Sequence, residues 1–160
     1  MGTHRLPAKI WTNPIHVVAL GFGVGALPYA PGTAGTLVAI PLYLLLASLS
    51  PAWYAGTVLL FSAIGVWICD QTEARLGMHD HPGIVWDEIV GYLVAMFMAP
   101  PHWVWVVVGF ALFRLFDIWK PFPIRTVERR IHGGFGTMLD DALAGVYAWV
   151  VLQMIAFISA

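Results

Sequence analysis

The chain has 160 residues, enough for one domain over 1–160 and short for two, and 59% of them are hydrophobic against 11% charged. Its mean hydropathy of +0.78 fits a polytopic membrane protein better than a soluble core. The net charge of -1 says nothing about partners, but with Arg129-Arg130 as the only basic pair no basic tract points to nucleic acid, and the lone Cys69 excludes a disulfide framework.

In chain order, Asn13-Pro14 reads as a helix start, with Asn13 as cap and Pro14 at the first helical position. Arg5 and Lys9 ahead of the apolar run from Ile15 to Leu27 mimic a signal peptide, but Pro31 after Tyr29-Ala30 argues against cleavage there. The stretch LGFGVGALPYAPGTAGTL carries Gly21, Gly23, Gly25, Gly32 and Gly35 with Pro28 and Pro31. It predicts a re-entrant or interfacial loop, and irregular backbone at membrane depth must line a cavity. Apolar helices follow from Leu37 to Leu49 and, after the Ser50-Pro51 turn, from Trp53 to Cys69. Each is a little shorter than the ~20 residues of a full crossing.

Asp70 to Glu88 is the first charged loop. Ile89 to Ala99 predicts a third helix, Pro100-Pro101 breaks it, and Trp103 to Trp119 returns. The last helix is expected from about Ala142 to Ser159. The fold expected is an all-α polytopic membrane bundle of short helices with a glycine- and proline-rich loop. Eight Trp, concentrated near the ends of the apolar runs, suit an interfacial belt.

The two tight hairpins, with tips at Ser48 to Pro51 and Ala99 to His102, have a topological consequence. They bring the glycine-rich loop, the Asp70 to Glu88 loop and the charged stretch Phe113 to Asp141 to one membrane face. Arg5, Lys9, Lys120, Arg125, Arg129 and Arg130 fall on that face, which the positive-inside rule makes cytoplasmic.

Several motif matches carry no chemistry. GFGVGA satisfies GxGxxA, but a dinucleotide site wants an acid about 20 positions on, and the first acid after it is Asp70. Cys69 to Arg75 matches the C-x5-R loop of cysteine phosphatases, yet the intervening DQTEA has two carboxylates, no glycine, and would repel a phosphate. His79 and His81 are spaced for neither one helix face nor a zinc site, so they read as polar loop residues.

What remains is rich in carboxylates: Asp80, Asp87, Glu88, Asp117, Asp140 and Asp141. Hard oxygen ligands select magnesium, and these six are the candidate metal ligands. Asp140 and Asp141 can equally be N-caps of the last helix, and Arg114 with Asp117 can be a self-neutralising pair. Asp87-Glu88 has the weakest structural explanation, because adjacent acids entering an apolar helix require a cation nearby.

GFGVGALPYAPGTAGTL, IVWDEIVG, FRLFDIWKPFPIR and GGFGTMLDDALAG resemble, in order and spacing, the blocks of the bacterial phosphatidylglycerophosphatase A family. The resemblance runs from about Asn13 to Gly145. It implies a magnesium-dependent, all-helical lipid phosphatase of the bacterial inner membrane, acting on phosphatidylglycerophosphate, with Asp87, Glu88, Asp117, Asp140 and Asp141 as catalytic and metal candidates. Phosphate-ester hydrolysis is catalysed mainly by positioning and charge stabilisation. Lys120 and Arg125 are then the candidate phosphate cations, Arg114 supports the acids, and Thr33 and Thr36 complete the substrate-binding set. His132 is a candidate acid for the leaving alkoxide. Two alternatives stay open: a phosphatase of another lipid phosphate, and a membrane transporter of cations or phosphate using the same acids.

Overall fold

The computed structural model describes residues 6–159. Prolines set the helix starts. Pro14, Pro31 and Pro51 are the first residues of α1 (Pro14–Ala19), α2 (Pro31–Leu46) and α3 (Pro51–Leu76), where the missing N–H is one the helix could not have satisfied. Asn13 caps α1, accepting from the Ile15 N–H at 3.0 Å. Gly77 ends α3 with a positive φ of 69°. There follow α4 (Trp86–Ala95), α5 (Trp103–Trp119), α6 (Ile124–Arg130) and α7 (Gly133–Ile158). Among the described residues there is no strand.

Helix α7 is the axis of the bundle, packing on α3, α4, α5 and α6. Its closest neighbour is α4, and two glycines explain the approach: a Cβ on Gly145 would lie 2.4 Å from the Gly91 carbonyl oxygen, and one on Gly91 2.8 Å from the Asp141 carbonyl oxygen. Nearly all of α4 is therefore buried. The amino-terminal α1 is tied to α3 by His16 Nδ1 and Thr72 Oγ1, 2.9 Å apart.

Both hairpin tips lie at one end of the bundle, where Ala47, Leu49, Pro51, Met98, Ala99 and Pro101 line one cavity of about 300 Å3. At the other end the start of α2 meets the start of α4, since a Cβ on Gly32 would collide with Glu88. The start of the glycine-rich α2 and the end of the charged loop thus converge at the end of the bundle away from the hairpin tips. Helices α3 and α7, 26 residues each, span ~39 Å at 1.5 Å per residue, more than the ~30 Å of a bilayer core. Only 28% of each one's apolar window is buried inside the fold, which is unlike the core helix of a soluble protein. Trp53, Leu59, Leu60 and Trp67 of α3 and Phe157 and Ile158 of α7 face outward. These are the two candidate membrane-spanning helices.

Several expected boundaries are corrected. The glycine-rich segment is irregular only to Ala30, with a 3-10 turn at Gly21–Ala26; from Pro31 it is helical, and Gly32 and Gly35 are there for close packing on Glu88 and Val85. The DQTEARL stretch extends α3 to Leu76, so the charged loop shrinks to residues 77–85, and α3 is not short. Asp87 and Glu88 lie in the first turn of α4. The last helix starts at Gly133, nine residues before the expected Ala142, because Gly134 fits against the Val66 carbonyl and Asp70 of α3. Asp140 and Asp141 are consequently helical residues, not N-caps. Helix α5 is as expected, and Cys69 is buried. Arg5 lies outside the described residues.

Candidate active site

The crossing of α4 and α7 brings one carboxylate oxygen each from Asp87, Glu88 and Asp141 within 4.8 Å of one another. Asp87 and Glu88 occupy the amino-terminal turn of α4, where the backbone N–H groups favour anions; the Glu88 N–H donates to Asp87 Oδ1 at 3.0 Å. Asp141 reaches them from the third turn of α7. Glu88 Oε2 and Asp141 Oδ2 are buried and have no hydrogen-bond partner. A buried acceptor without a donor is costly, and two on acids of one triad invite a cation.

Cations flank the triad. Arg114, on α5, pairs with Asp117 one turn on and lies 3.9 Å from Glu88 Oε1. Lys120 caps the carboxyl end of α5 in the left-handed region (φ 46°) and donates from Nζ to Asp140 Oδ2 at 2.6 Å and to Glu128 Oε1 at 2.8 Å. Burial alone would lower the Lys120 pKa, but Asp140 and Glu128 raise it above the ordinary lysine range, so the ammonium stays charged. Six carboxyl groups here, Asp87, Glu88, Asp117, Glu128, Asp140 and Asp141, stand with two cations, Arg114 and Lys120, an excess of four acidic groups over basic ones. The donor set, all hard oxygen, suits a divalent ion such as magnesium.

A second polar cluster adjoins the first. Glu73, near the end of α3, is buried. Its Oε1 accepts from the Asp80 N–H at 3.1 Å and from the Thr137 hydroxyl, and its Oε2 lies 3.0 Å from His79 Nδ1. The His79 and His132 rings sit 5.0 Å apart. Thr137 and Asp141, four residues apart on α7, share one helix face about 6 Å apart along the axis.

The sequence candidates separate accordingly. Asp87, Glu88 and Asp141 come together; Asp117 and Asp140 stand beside them in ion pairs with Arg114 and Lys120. Asp80 is exposed and stands outside the triad. Arg125 donates to the Trp119 carbonyl at 3.2 Å. Thr36 is wholly buried and donates within α2 to the Gly32 carbonyl at 2.9 Å, so its hydroxyl is committed to the helix, while Thr33 is half-buried one turn from it. His132 is exposed. Sequence reading missed Glu73 and Glu128. Glu73 was detectable: Gly65, Cys69 and Glu73 fall at i, i+4 and i+8, and all three are buried.

The family model for phosphatidylglycerophosphatase A matches residues 17–156. A phosphatidylglycerophosphatase A of Escherichia coli strain K12 is 46% identical over 145 residues, covering 90% of this chain and 84% of that protein. One from Haemophilus influenzae is 44% identical over 150 residues, covering 91% and 90%. A Bacteroides thetaiotaomicron protein, named a candidate phosphatidylinositol-3-phosphatase, is 41% identical over 146 residues, covering 86% and 91%. No solved structure matches.

Proposed function

Because the chain belongs to the phosphatidylglycerophosphatase A family, we propose that it hydrolyses the terminal phosphate monoester of phosphatidylglycerophosphate to give phosphatidylglycerol, with Asp87, Glu88 and Asp141 holding magnesium. The observation that carries the reading is the triad itself: two helices converge to bury carboxylates whose outer oxygens, Glu88 Oε2 and Asp141 Oδ2, have no donor. When bound there, the ion supplies positive charge to the phosphate oxygens and lowers the pKa of a coordinated water.

The chain's own residues do the rest. Arg114 restrains Glu88 from one side and balances Asp117. Lys120, fixed by Asp140 and Glu128, holds a charged ammonium beside the site, available to stabilise phosphate charge as it develops. Its two carboxylates hold it in place, so no reorganisation is needed as the reaction proceeds. The site lies toward one end of the bundle, with Asp141 about 12 Å along α7 from its start. That depth suits a headgroup held at the interface while acyl chains stay in the bilayer, and suits a transport pathway less well. The reading places the protein in the bacterial inner membrane as a multi-pass protein, with this end toward the cytoplasm, where Lys120, Arg125, Arg129 and Arg130 cluster.

The Bacteroides relative favours one second reading, another phosphorylated lipid as substrate. Phosphate release by the purified protein in detergent, from phosphatidylglycerophosphate, phosphatidic acid and phosphatidylinositol 3-phosphate, with and without EDTA, separates them. Turnover of the first alone, abolished by EDTA, is expected; preference for another lipid moves the substrate, and full turnover in EDTA removes the metal.

A further inference from the structure

Nothing in the reaction as described uses the cluster around Glu73. Its geometry is that of an oriented acid-base group. A buried carboxylate accepts from three groups at once, the Asp80 N–H, the Thr137 hydroxyl and His79 Nδ1. A carboxylate can only accept, so Nδ1 is the donor, the ring is fixed, and Nε2 is left as the atom that gives or takes a proton. His79 is about a third exposed, open enough to meet a substrate and still anchored. It is faced by Glu73 from α3, by its neighbour Asp80, and by His132 from the start of α7. His132 has no such carboxylate among the described residues.

The cluster also stands beside the site. Thr137, which holds Glu73, is one helical turn from Asp141 on the same face of α7, and Asp80 lies within electrostatic reach of Lys120 and Glu128. We propose that His79 is the proton donor to the leaving oxygen of the substrate, with Glu73 as its positioning residue. The inference rests on the phosphatase reading above. In a loose phosphoryl-transfer transition state the charge that most needs help is on the departing oxygen, and a glycerol alkoxide is a poor leaving group. Water adds its oxygen to phosphorus as the ester P–O bond breaks. The bonding pair stays on the glycerol oxygen, which takes the proton from Nε2 and leaves as the hydroxyl. Of the two water protons, one remains on the released phosphate and the other restores Nε2.

The test compares leaving groups. Full-length wild type, His79→Gln and Glu73→Gln are assayed in detergent with magnesium on phosphatidylglycerophosphate and on a lipid-anchored nitrophenyl phosphate, whose leaving oxygen needs no proton. His79→Gln is expected to lose about 100-fold or more in kcat on the first substrate and less than about tenfold on the second; Glu73→Gln should follow the same pattern more weakly. Equal losses on both substrates, or none on the alkyl ester, overturn the proposal, because a merely structural role cannot distinguish leaving groups. Should the buried Glu73→Gln variant fail to fold, the surface-accessible His79 carries the test alone. Failure of the wild type to release phosphate from phosphatidylglycerophosphate would refute the underlying activity, and the inference with it.

Discussion

Gly32→Ala separates the site from the scaffold. The added methyl would lie 2.0 Å from Glu88 Oε1, 3.0 Å from Glu88 Cδ and 3.2 Å from Arg114 Nη1. A carbon and an oxygen approach to about 3.3 Å, so the Glu88 carboxylate must retreat by roughly 1.3 Å. The colliding atom is the end of a flexible side chain, which can swing aside with little strain, and alanine is well tolerated in the first turn of α2. Stability should therefore change little. Turnover should not survive so well: a misplacement of about 1 Å in a catalytic group is worth on the order of 100-fold. The assay is phosphate release across a magnesium titration, with helix melting followed on the same samples. Gly56→Ala is the control, since nothing lies within 4 Å of a Cβ there. Wild-type turnover by folded Gly32→Ala at every magnesium concentration would refute the placement of Glu88.

Gly145→Ala should behave in the opposite way, because its methyl meets the Gly91 backbone carbonyl at 2.4 Å and backbone cannot swing aside; a loss of about 1–3 kcal/mol in stability is expected, read as earlier helix melting, and unchanged melting would contradict the close crossing. Lys120→Met strands Asp140 and should destabilise by about 3–5 kcal/mol, with much of the loss recovered in Lys120→Met/Asp140→Leu; additive losses in the same melting assay would break the pair. Cys69→Ser should keep turnover, since the thiol is fully buried and outside the triad; a folded but inactive variant would return the thiolate to consideration.

The legible parts of the sequence were those with local punctuation. Pro100-Pro101 and the charges after Trp119 bound α5, and Asn13-Pro14 marks α1, so both read directly. The paired hairpins also made the common face predictable without any contact information. What escaped was the use of glycine as a packing residue. Gly133, Gly134 and Gly136 look like a loop when only backbone freedom is weighed, yet Gly134 and Gly136 give way to neighbouring backbone, and α7 runs straight through them. The same habit hid the start of α2 at Pro31, whose first turns hold Gly32 and Gly35. Charge had the converse effect: Asp70, Glu73 and Arg75 suggest a loop, although the polar end of a long helix carries charges just as well. Within the site, the Asp87-Glu88 pair was conspicuous because an apolar segment follows it. The partners of Lys120 were not, since Asp140 and Glu128 are 20 and 8 residues away and only the fold of α6 against α7 joins them.

The central claim is that carboxylates from α4 and α7 hold one ion between them. The direct measurement is magnesium affinity, by calorimetry on the purified full-length protein, for wild type, Glu88→Gln, Asp141→Asn and the double variant, with phosphate release from phosphatidylglycerophosphate followed in parallel. If Glu88 and Asp141 share one ion, each single change should lower turnover by orders of magnitude and weaken magnesium binding, and the double variant should lose far less than the sum, as residues acting as a unit do. Independent, additive losses, or a double variant that still binds magnesium and releases phosphate like the wild type, would contradict the shared site.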